Sequence, residues 1–162
     1  MLIRKTVPAD LPQLLAVYAY AREQMKQNGN PSQWGDDRPS LAVLEEDIRK
    51  GQSYVIEEKN QICGVFTFVI GSDPTYRVIE QGRWLNEMPY GTIHRIAGNG
   101  TAKGIFSRCL SYCMERIPNI RIDTHEDNYA MQHLLQKNGF QKCGIIHVED
   151  GSPRIAYQRC IQ

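Results

Sequence analysis

Residues 92–117 read TIHRIAGNGTAKGIFSRCLSYCMERI and place an apolar strand, a glycine-rich turn and an amphipathic helix next to one another. Thr92 to Ala97 are mostly apolar or β-branched, which is typical of a strand. Gly98, Gly100 and Gly104 then indicate a turn. The apolar residues that follow have the spacing of one helix face: Ile105, Phe106, Cys109, Leu110, Cys113, Met114 and Ile117. This stretch therefore predicts strand, loop and helix in that order.

A glycine-rich turn that opens a helix is a potential phosphate site, because the first helical amides lack internal partners and the helix dipole favours negative charge. Two known phosphate loops fail here by one residue. A Walker A loop needs Ser or Thr after its Lys, but Gly104 follows Lys103. A dinucleotide fingerprint needs a third Gly where Lys103 stands. The alternative, that these glycines only form a tight turn, stays open.

Length and charge limit the classes of protein that need to be considered. A chain of 162 residues fits one domain, residues 1–162, with a real core. The formal net charge is +1, so no broad field favours nucleic acid or an anionic membrane, and we expect neither as a partner. The sequence has no apolar run long enough to span a bilayer and its start lacks a signal-peptide core. We expect a cytoplasmic protein.

The five cysteines predict neither a disulfide framework nor a zinc site. Their number is odd and no two form a C-x-x-C pair. Cys109 and Cys113 lie one turn apart on the apolar helix face, which favours small core residues over ligands or nucleophiles. We expect no metal.

The remaining chain predicts a mixed α/β fold. The predicted strands cover 2–6, 53–57, 61–70, 92–97, 120–124, 142–148 and 153–159, and the predicted helices cover about 10–26, 41–50, 105–117 and 129–137. The strand at 61–70 is apolar on both alternate sets, which predicts a central strand covered on both faces. The order predicts a mixed sheet with helices on both faces.

Aromatic residues in two irregular segments are candidate walls of a binding site. Trp34 lies in the polar segment SQWGDDRPS and is either a plug on the core or a pocket wall. The long loop from Gly71 to Tyr90 contains Tyr76 and Trp84, which either form a binding site or pack on the edge of the core. We take Trp34, Tyr76 and Trp84 as candidate substrate-binding residues.

This order of elements resembles the GNAT N-acetyltransferases along nearly the whole chain. IRKTVPADLPQLLAVY resembles the family's first strand and helix, IHRIAGNGTAKGIF its acetyl-CoA motif, and IDTHEDNYAMQHLLQKNGF its following motif. The resemblance implies a GNAT-like, mostly antiparallel sheet of about six or seven strands and an acetyl-CoA-dependent N-acetyltransferase.

The resemblance also implies which residues hold acetyl-CoA. Asn99 to Gly104 would occupy the pyrophosphate loop, with help from the start of the next helix. The strand from Arg95 to Gly98 would bond the pantetheine arm through its backbone, and Asn128 would be the nearest side chain beyond the fifth strand. The implied cofactor-binding set is Arg95, Ile96, Ala97, Gly98, Asn99, Gly100, Thr101, Ala102, Lys103, Gly104, Ile105 and Asn128.

Two departures from the family pattern bear on activity. Asn99 and Ala102 replace the usual Gln or Arg and the first Gly of the loop, which predicts weaker or reshaped binding. Many members have a tyrosine as proton donor four residues before Gly-Phe, where this chain has Leu135. The leaving thiolate, with an intrinsic pKa of roughly 8.5, can take a proton from water instead.

The expected chemistry is direct attack of a neutral amine on the thioester, aided by proximity and by a strand amide near the carbonyl oxygen. His94 is the first candidate for the base that deprotonates the amine, since it lies about where some relatives have a glutamate. Asp123 and His125 are further candidates, because with Asp127 they alternate along one face of the next strand and its exit. A structural role for each remains the alternative.

Three functions are open at this point. The first is an N-acetyltransferase acting on an amine of a small molecule or a peptide. The second is a catalytically weak or inactive CoA-binding module of the same fold. A nucleotide-binding domain is disfavoured by the failed motif spacings. An exposed last strand would also allow a homodimer by pairing across a two-fold axis.

Overall fold

The computed structural model describes residues 1–161 and contains a seven-stranded sheet. The strands are β1 (Leu2–Lys5), β2 (Ser53–Glu58), β3 (Gln61–Ile70), β4 (Gly91–Gly98), β5 (Asn119–Thr124), β6 (Gln141–His147) and β7 (Pro153–Cys160). Their order across the sheet is β1-β2-β3-β4-β5-β7-β6. All neighbours are antiparallel except β4 and β5. The predicted mixed, mostly antiparallel sheet is confirmed.

Four helices accompany the sheet: α1 (Leu11–Gln27), α2 (Leu41–Arg49), α3 (Ile105–Met114) and α4 (Tyr129–Lys137). Ser40 Oγ accepts the Val43 amide at the start of α2 and Asn128 Oδ1 accepts the Met131 amide at the start of α4, which are N-caps. α3 ends at Met114, three residues before its predicted end at Ile117. Pro118 disfavours helical geometry at the residue before it, and the chain leaves the helix in a turn.

The helices cover both faces of the sheet. On β3, Phe66 and Phe68 pack with α3 in one core cluster, whereas Val65 packs with Leu14 of α1 in another. Since adjacent strand residues point to opposite faces, α3 and α4 lie on one face and α1 and α2 on the other. β3 is buried from Ile62 to Phe68, as its two apolar sets predict.

The loop of residues 71–90 covers the part of the sheet that α1 and α2 do not reach. Its side chains Tyr76, Trp84 and Tyr90 form a third cluster with Ala156 of β7 and Ile146 of β6. Ala156 lies between Ile155 and Tyr157 of the α3/α4 cluster, so this third cluster is on the α1/α2 face. An isolated bridge from Glu80 to Ile145 ties the loop to β6.

One expectation about the sheet edge is wrong. β7, the last strand, lies between β5 and β6 and is therefore not exposed for pairing with another chain. The edges are β1 and β6. The prediction placed the last strand at the edge of the sheet. In the structure β6 and β7 form a hairpin, and β7, its second strand, is the one that pairs with β5.

Four of the five free cysteines are buried: Cys63 on β3, Cys109 and Cys113 on α3, and Cys143 on β6. Cys160 at the end of β7 is partly exposed. Within residues 1–161, the side chains of His, Cys, Asp and Glu form no group of three that could hold a metal ion. None of the described helices has the length and apolar character needed to cross a membrane.

Candidate active site

The candidate site begins where β4 and β5 separate. These two strands pair only at Gly91 with Ile120 and at Thr92 with Arg121. Beyond Thr92 the rest of β4 has no ladder to β5. Because parallel strands normally continue their hydrogen bonds along their length, this early end to the pairing opens a cleft in the sheet.

A bulge in β4 contributes to the separation. Val65 of β3 pairs with Ala97 and Thr67 pairs with His94, so Arg95 and Ile96 both lie opposite Phe66. Arg95 has a φ of 52°, in the left-handed region that residues with side chains rarely adopt. A bulge of this kind bends the strand and increases its twist.

Side chains from α1 and α2 hold the bulge in place. The Arg95 guanidinium donates two hydrogen bonds of 2.9 Å to Asp47 of α2. Asp47 also accepts a bond of 2.9 Å from Thr67 Oγ1. On α1, the Tyr18 hydroxyl donates to the Arg95 carbonyl at 2.6 Å. The strained residue is therefore fixed by side chains of two helices, and Thr67 of β3 holds one of them in position, as strain in a stable site requires.

The cleft has a volume of about 230 Å³ and a mostly apolar lining. α1, β4, α4 and the segments next to the helices line it: Tyr20, Ala21, Gln24, Met25, Asn28, Asn30, Ile96, Ala97, Gly98, Asp127, Asn128, Tyr129, Ala130, Met131 and Leu134. It therefore lies between the end of β4 and the start of α4, and its lining includes Ile96, Ala97, Gly98 and Asn128 of the set that the resemblance implies for acetyl-CoA.

The glycine-rich loop ends in a helix start without a side-chain cap. Gly104 has a left-handed φ of 78°, and no side chain accepts from the first turn of α3. Arg108 N donates the first helical bond, to Gly104 O at 3.0 Å, so the amides of residues 105–107 have no intrahelical acceptor. Gly100, Thr101, Lys103 and Gly104 are exposed. This helix start is accessible to an anion.

Asn99 shapes the loop from within. Its Oδ1 accepts the Thr101 amide at 3.0 Å and the Thr101 hydroxyl at 2.6 Å, and its Nδ2 donates to the Ile62 carbonyl at 3.2 Å. One loop amide is thus already used by the protein. At the position where the resemblance expects Gln or Arg, this chain therefore has a side chain that fixes the turn.

Tyr20 connects the loop to the cleft. It lines the cleft, and its hydroxyl lies so close to Gly100 that a Cβ there would be 2.3 Å from the oxygen. Gly100 also has a φ of 82°. Only glycine meets both conditions without displacing the tyrosine.

His94, the first candidate base, is hydrogen-bonded to a carboxylate. Its Nε2 lies 3.0 Å from Asp73 Oδ2. Although burial opposes ionisation, hydrogen bonds from His94 and from the Thr75 hydroxyl and amide lower the pKa of Asp73 to about 2. Asp73 is therefore an ionised acceptor at neutral pH. Nε2 of His94 must carry the proton in this bond, which leaves the lone pair on Nδ1.

Asp123 lies on the same face of the sheet and accepts a hydrogen bond of 2.7 Å from the Tyr76 hydroxyl. Burial, with the nearby Asp123 charge, raises the pKa of Tyr76 well above its ordinary value, so the phenol remains a donor. The rings of Tyr76 and His94 have centroids 6.3 Å apart. Tyr76 thus brings the two candidate residues His94 and Asp123 into one polar group.

Arg154 of β7 adds a positive charge beside Asp123. It is buried, and burial lowers the pKa of its guanidinium while the Asp123 carboxylate opposes that shift. The polar group therefore contains both signs of charge.

His125 is not part of this group. It follows the end of β5, and its Nδ1 accepts the Asp127 amide at 3.0 Å. Its carbonyl accepts from Asn128 N at 3.0 Å. The imidazole therefore stabilises the turn that leads into α4, and its Nε2 is the nitrogen left for other contacts.

Comparison with known proteins identifies the family. The model of the family described as acetyltransferase (GNAT) domain matches residues 1–141. The chain belongs to the GNAT acetyltransferase family. No curated protein matches the chain in sequence.

Solved structures agree with this assignment. A GNAT-family acetyltransferase from Streptococcus agalactiae is 30% identical, with a TM-score of 0.89 over 99% of this chain and 95% of its own. A protein from Staphylococcus aureus proposed to be an acetyltransferase is 27% identical, with a TM-score of 0.73 over 100% of both chains. N-acetylglutamate synthase from Neisseria gonorrhoeae, complexed with coenzyme A and N-acetyl-glutamate, shares the fold at 15% identity and a TM-score of 0.62; the match covers 99% of this chain and 35% of that one.

Within this GNAT domain, the residues in and next to the cleft carry groups of the kind that bind a diphosphate and an amide-containing arm, as in CoA. The loop and the start of α3 offer exposed amides to a pyrophosphate. Asn30 lines the cleft, is 3% exposed, and its buried Oδ1 has no hydrogen-bond partner. Its Nδ2 donates to Gln33 Oε1, which also accepts from Asn128 Nδ2. The unpaired acceptor suits an amide N–H of a bound arm.

The three aromatic candidates occupy different positions in the GNAT domain. Trp34 packs edge-on against Tyr18 with ring centroids 5.4 Å apart and is partly exposed. Tyr76 lies beside Asp123 and His94. Trp84 is 8% exposed, donates from Nε1 to the Tyr76 carbonyl at 2.9 Å, and lines a different cavity from the cleft. Leu135, at the position of the family's tyrosine, is fully buried in the core.

Several residues of the candidate site have no clear signal in the sequence. Asp73 and Asp47 lie in separate segments, 21 and 48 residues from their partners His94 and Arg95. Asn30 lies in the segment Asn28-Gly29-Asn30-Pro31, which indicates only the end of a helix, and Tyr20 belongs to no motif. The one sequence signal for such partners is that His94 and Arg95 interrupt an apolar strand. A polar side chain in a buried strand needs a polar partner, but the sequence does not say which residue that is.

Proposed function

We propose that this chain transfers the acetyl group of acetyl-CoA to an amine of a small molecule or a peptide, by direct attack while both substrates are bound. One observation carries the proposal: the exposed, uncapped start of α3 lies beside a cleft where β4 has lost its strand partner. Unpaired amides at the helix start suit a diphosphate. The unpaired edge of β4 suits an extended arm with amides of its own.

The proposed cofactor contacts follow the path of this backbone. The loop from Asn99 to Gly104 and the amide of Ile105 bind the pyrophosphate, and Ile96, Ala97 and Gly98 offer backbone groups to the pantetheine arm. The Arg95 carbonyl already accepts from Tyr18, so Arg95 contributes through its amide and through the bulge. Asn128 supplies an amide side chain at the opposite wall.

Acetyl-CoA, when bound, supplies an activated acyl group as a thioester. In the proposed reaction, His94 Nδ1 accepts a proton from the ammonium form of the acceptor, directly or through a water. Asp73 holds the Nε2 proton and stabilises the imidazolium that results. The amine nitrogen then has the lone pair that attacks the carbonyl carbon. An unpaired β4 amide is the donor for the developing oxyanion.

Release of the thiolate proceeds without an acid from α4. Leu135 is fully buried among apolar side chains, so no side chain at that position reaches the cleft. The thiolate takes its proton from water, which a thiol pKa of roughly 8.5 permits, and the newly acylated nitrogen gives its second proton to solvent as the amide forms.

The acceptor binds on the α1/α2 face of the cleft in this proposal, next to His94, Asp123 and Tyr76, with Trp34 as an outer wall. The mixed charges of Asp123 and Arg154 suit a polar amine whose ammonium lies toward the carboxylates. A small-molecule amine and an exposed peptide amine both meet this requirement.

Two measurements test the proposal. Calorimetric titration with CoA reports binding, and the release of free thiol from acetyl-CoA in the presence of a panel of amines and peptides reports turnover. We expect binding and acceptor-dependent release. Binding without release for any acceptor would favour the CoA-binding module, and no binding of CoA at millimolar concentration would contradict both.

A further inference from the structure

A second cavity lies under the 71–90 loop, on the α1/α2 face near the start of β5. Its volume is about 530 Å³. It is lined by Gly71, Ser72, Tyr76, Arg77, Ile79, Arg83, Trp84, Glu87, Met88, Pro89, Tyr90 and Arg121. No residue of this lining also lines the acetyl-CoA cleft. Its volume is within the range of about 300–1,000 Å³ that is common for small-molecule sites.

Arg121 of β5 lies at the base of this cavity and is 4% exposed. Its guanidinium carbon lies 4.2 Å from the centre of the Trp84 ring and 4.0 Å from the centre of the Tyr90 ring. The two rings occupy the guanidinium faces. The part of Arg121 that remains to meet a ligand is therefore its edge, where the N–H donors are.

The donors of Arg121 are poorly satisfied by the protein. Nη2 donates to the Asn86 carbonyl at 2.7 Å, whereas the buried Nε has no hydrogen-bond partner. No ion pair formed within residues 1–161 includes Arg121. A buried charge without a counter-charge is costly, and buried guanidinium groups are normally paired. Burial accordingly lowers the pKa of Arg121.

The rim of the cavity has the same sign of charge. Arg77 and Arg83 are exposed at its edge, and Glu87 is the one acid among the lining residues. The remaining lining is largely aromatic or apolar, including Met88 and Pro89. An anion with an apolar body would match both the charge and the surface.

We propose that this cavity binds a small organic carboxylate, whose carboxylate group lies against the edge of Arg121 and whose apolar body lies against Trp84, Tyr90 and Met88. A planar carboxylate is the partner that the guanidinium edge accepts through two parallel bonds. The cavity shares no lining residue with the acetyl-CoA cleft and shares only Tyr76 with the proposed acceptor site, and the proposal does not depend on the function proposed above.

The chain offers a direct optical test, because it has two tryptophans and Trp84 is in the cavity. In a Trp34→Phe background, Trp84 is the one remaining tryptophan. Titration with benzoate should change its fluorescence to saturation. Benzamide, which has the same shape without the charge, should bind at least about 10-fold more weakly, since a charged acceptor strengthens the hydrogen bonds to arginine.

Two variants and a control complete the test. Arg83→Ala, at the exposed rim, should weaken benzoate binding by about 2- to 5-fold without affecting folding. Arg121→Lys keeps the charge but loses the planar edge, and it should weaken benzoate binding by about 10-fold or more. Lys137→Ala removes an exposed positive charge from α4 on the other face of the sheet and should leave the affinity unchanged.

Several outcomes would overturn the proposal. They are an absence of saturable change with benzoate at millimolar concentration, equal affinity for benzoate and benzamide, and tighter binding of inorganic phosphate than of benzoate. If Arg121→Lys does not fold, the comparison of benzoate with benzamide and the Arg83→Ala variant still decide the question.

Discussion

His94 and Asp73 are the pair on which the proposed proton transfer depends. Replacement of His94 by Gln keeps a polar side chain but removes the basic nitrogen. We expect kcat to fall by about 10²- to 10⁴-fold, the usual contribution of a general base. The KM for acetyl-CoA should not change, because the loop and the start of α3 are untouched. Steady-state kinetics with a saturating acceptor measure both.

His133→Gln is the matched control for this variant. His133 lies on α4 with an exposed side chain and forms no part of the cleft lining. Its replacement should leave kcat unchanged. A His94→Gln enzyme with the activity of this control would show that His94 only holds Asp73.

The lowered pKa of Asp73 predicts a specific dependence of stability on pH. Its ordinary value is 3.8 and its value in the folded chain is about 2. A carboxyl with a depressed folded pKa contributes stability that is complete above about pH 4 and is lost as pH falls toward about 2. The contribution is about 2 kcal/mol. The Asp73→Asn variant lacks it.

Urea unfolding between neutral pH and about pH 2 checks this dependence. The difference in the free energy of unfolding between the native chain and Asp73→Asn should shrink as pH falls through the window from about 4 to about 2. A difference that stays constant across that window would mean that Asp73 is not ionised in its bond to His94.

At the scale of single residues, the candidate catalytic side chains could be picked out in the sequence, whereas the residues that hydrogen-bond to them could not. His94 is conspicuous because it interrupts an apolar strand. Asp73 is not, because Asp-Pro in a loop is an ordinary turn signal and its partner is 21 residues away. The roles of His94, Asp123 and His125 remain predictions, although Asp123 and His94 share one polar group and His125 lies outside it.

Among the elements, the β4 bulge is the one whose shape matters most for the cleft. Asp47→Asn removes the charge that holds Arg95 and leaves a partly buried guanidinium without its partner. We expect a loss of about 2 kcal/mol in the free energy of unfolding. We also expect kcat/KM to fall by about 10-fold or more, because the β4 backbone loses its fixed position. Urea unfolding and steady-state kinetics measure the two effects.

Glu46→Gln provides the comparison for Asp47→Asn. Glu46 is the preceding residue on α2, but its exposed carboxylate pairs with Arg49 and Lys50 and does not contact β4. This variant should behave as the native chain. Equal losses in the two variants would indicate that α2, and not the bulge, was disturbed.

The start of α3 is the second element with a direct test. Lys103→Glu places a negative charge beside the exposed amides of the helix start. The affinity for CoA should fall by about 5- to 10-fold, since the helix dipole and the lost lysine both favour an anion there. Added salt should reduce the difference, because exposed charges are screened. Calorimetric titration at two ionic strengths measures it.

Lys142→Glu makes the same charge change on β6, away from the cleft, and should leave CoA affinity unchanged. If both variants lose the same amount of CoA affinity, the loss would come from the change in net charge and not from the position of Lys103 in the loop.

The boundaries of elements were predictable where periodicity and caps agree, as for β3 and α4, whose ranges match the prediction. The bulge in β4 was not, because an extra residue in one strand is defined by the register with its neighbour. The inner position of β7 was not predictable either, since a hairpin pattern does not show which of its two strands pairs with the rest of the sheet.

At the scale of the whole molecule, the sheet consists of two parts joined at β4 and β5 through only two paired positions. α1 and α2 cover one part and the 71–90 loop covers the other on the same face. The family resemblance led to this architecture, because the order of strands and helices is a property of the entire chain. The Arg121 cavity could not be predicted, because it is lined mostly by a long loop whose path over the sheet depends on contacts with distant strands.

The placement of the cysteines allows each part of this architecture to be followed by alkylation. In the folded chain only Cys160 is accessible, so a short exposure to iodoacetamide should add one label, counted by mass spectrometry. Cys63 reports on the part of the sheet that contains β3, Cys143 on the part that contains β6, and Cys109 with Cys113 on α3. The order in which these thiols become modified in rising urea would show whether the two parts of the sheet open together or one after the other.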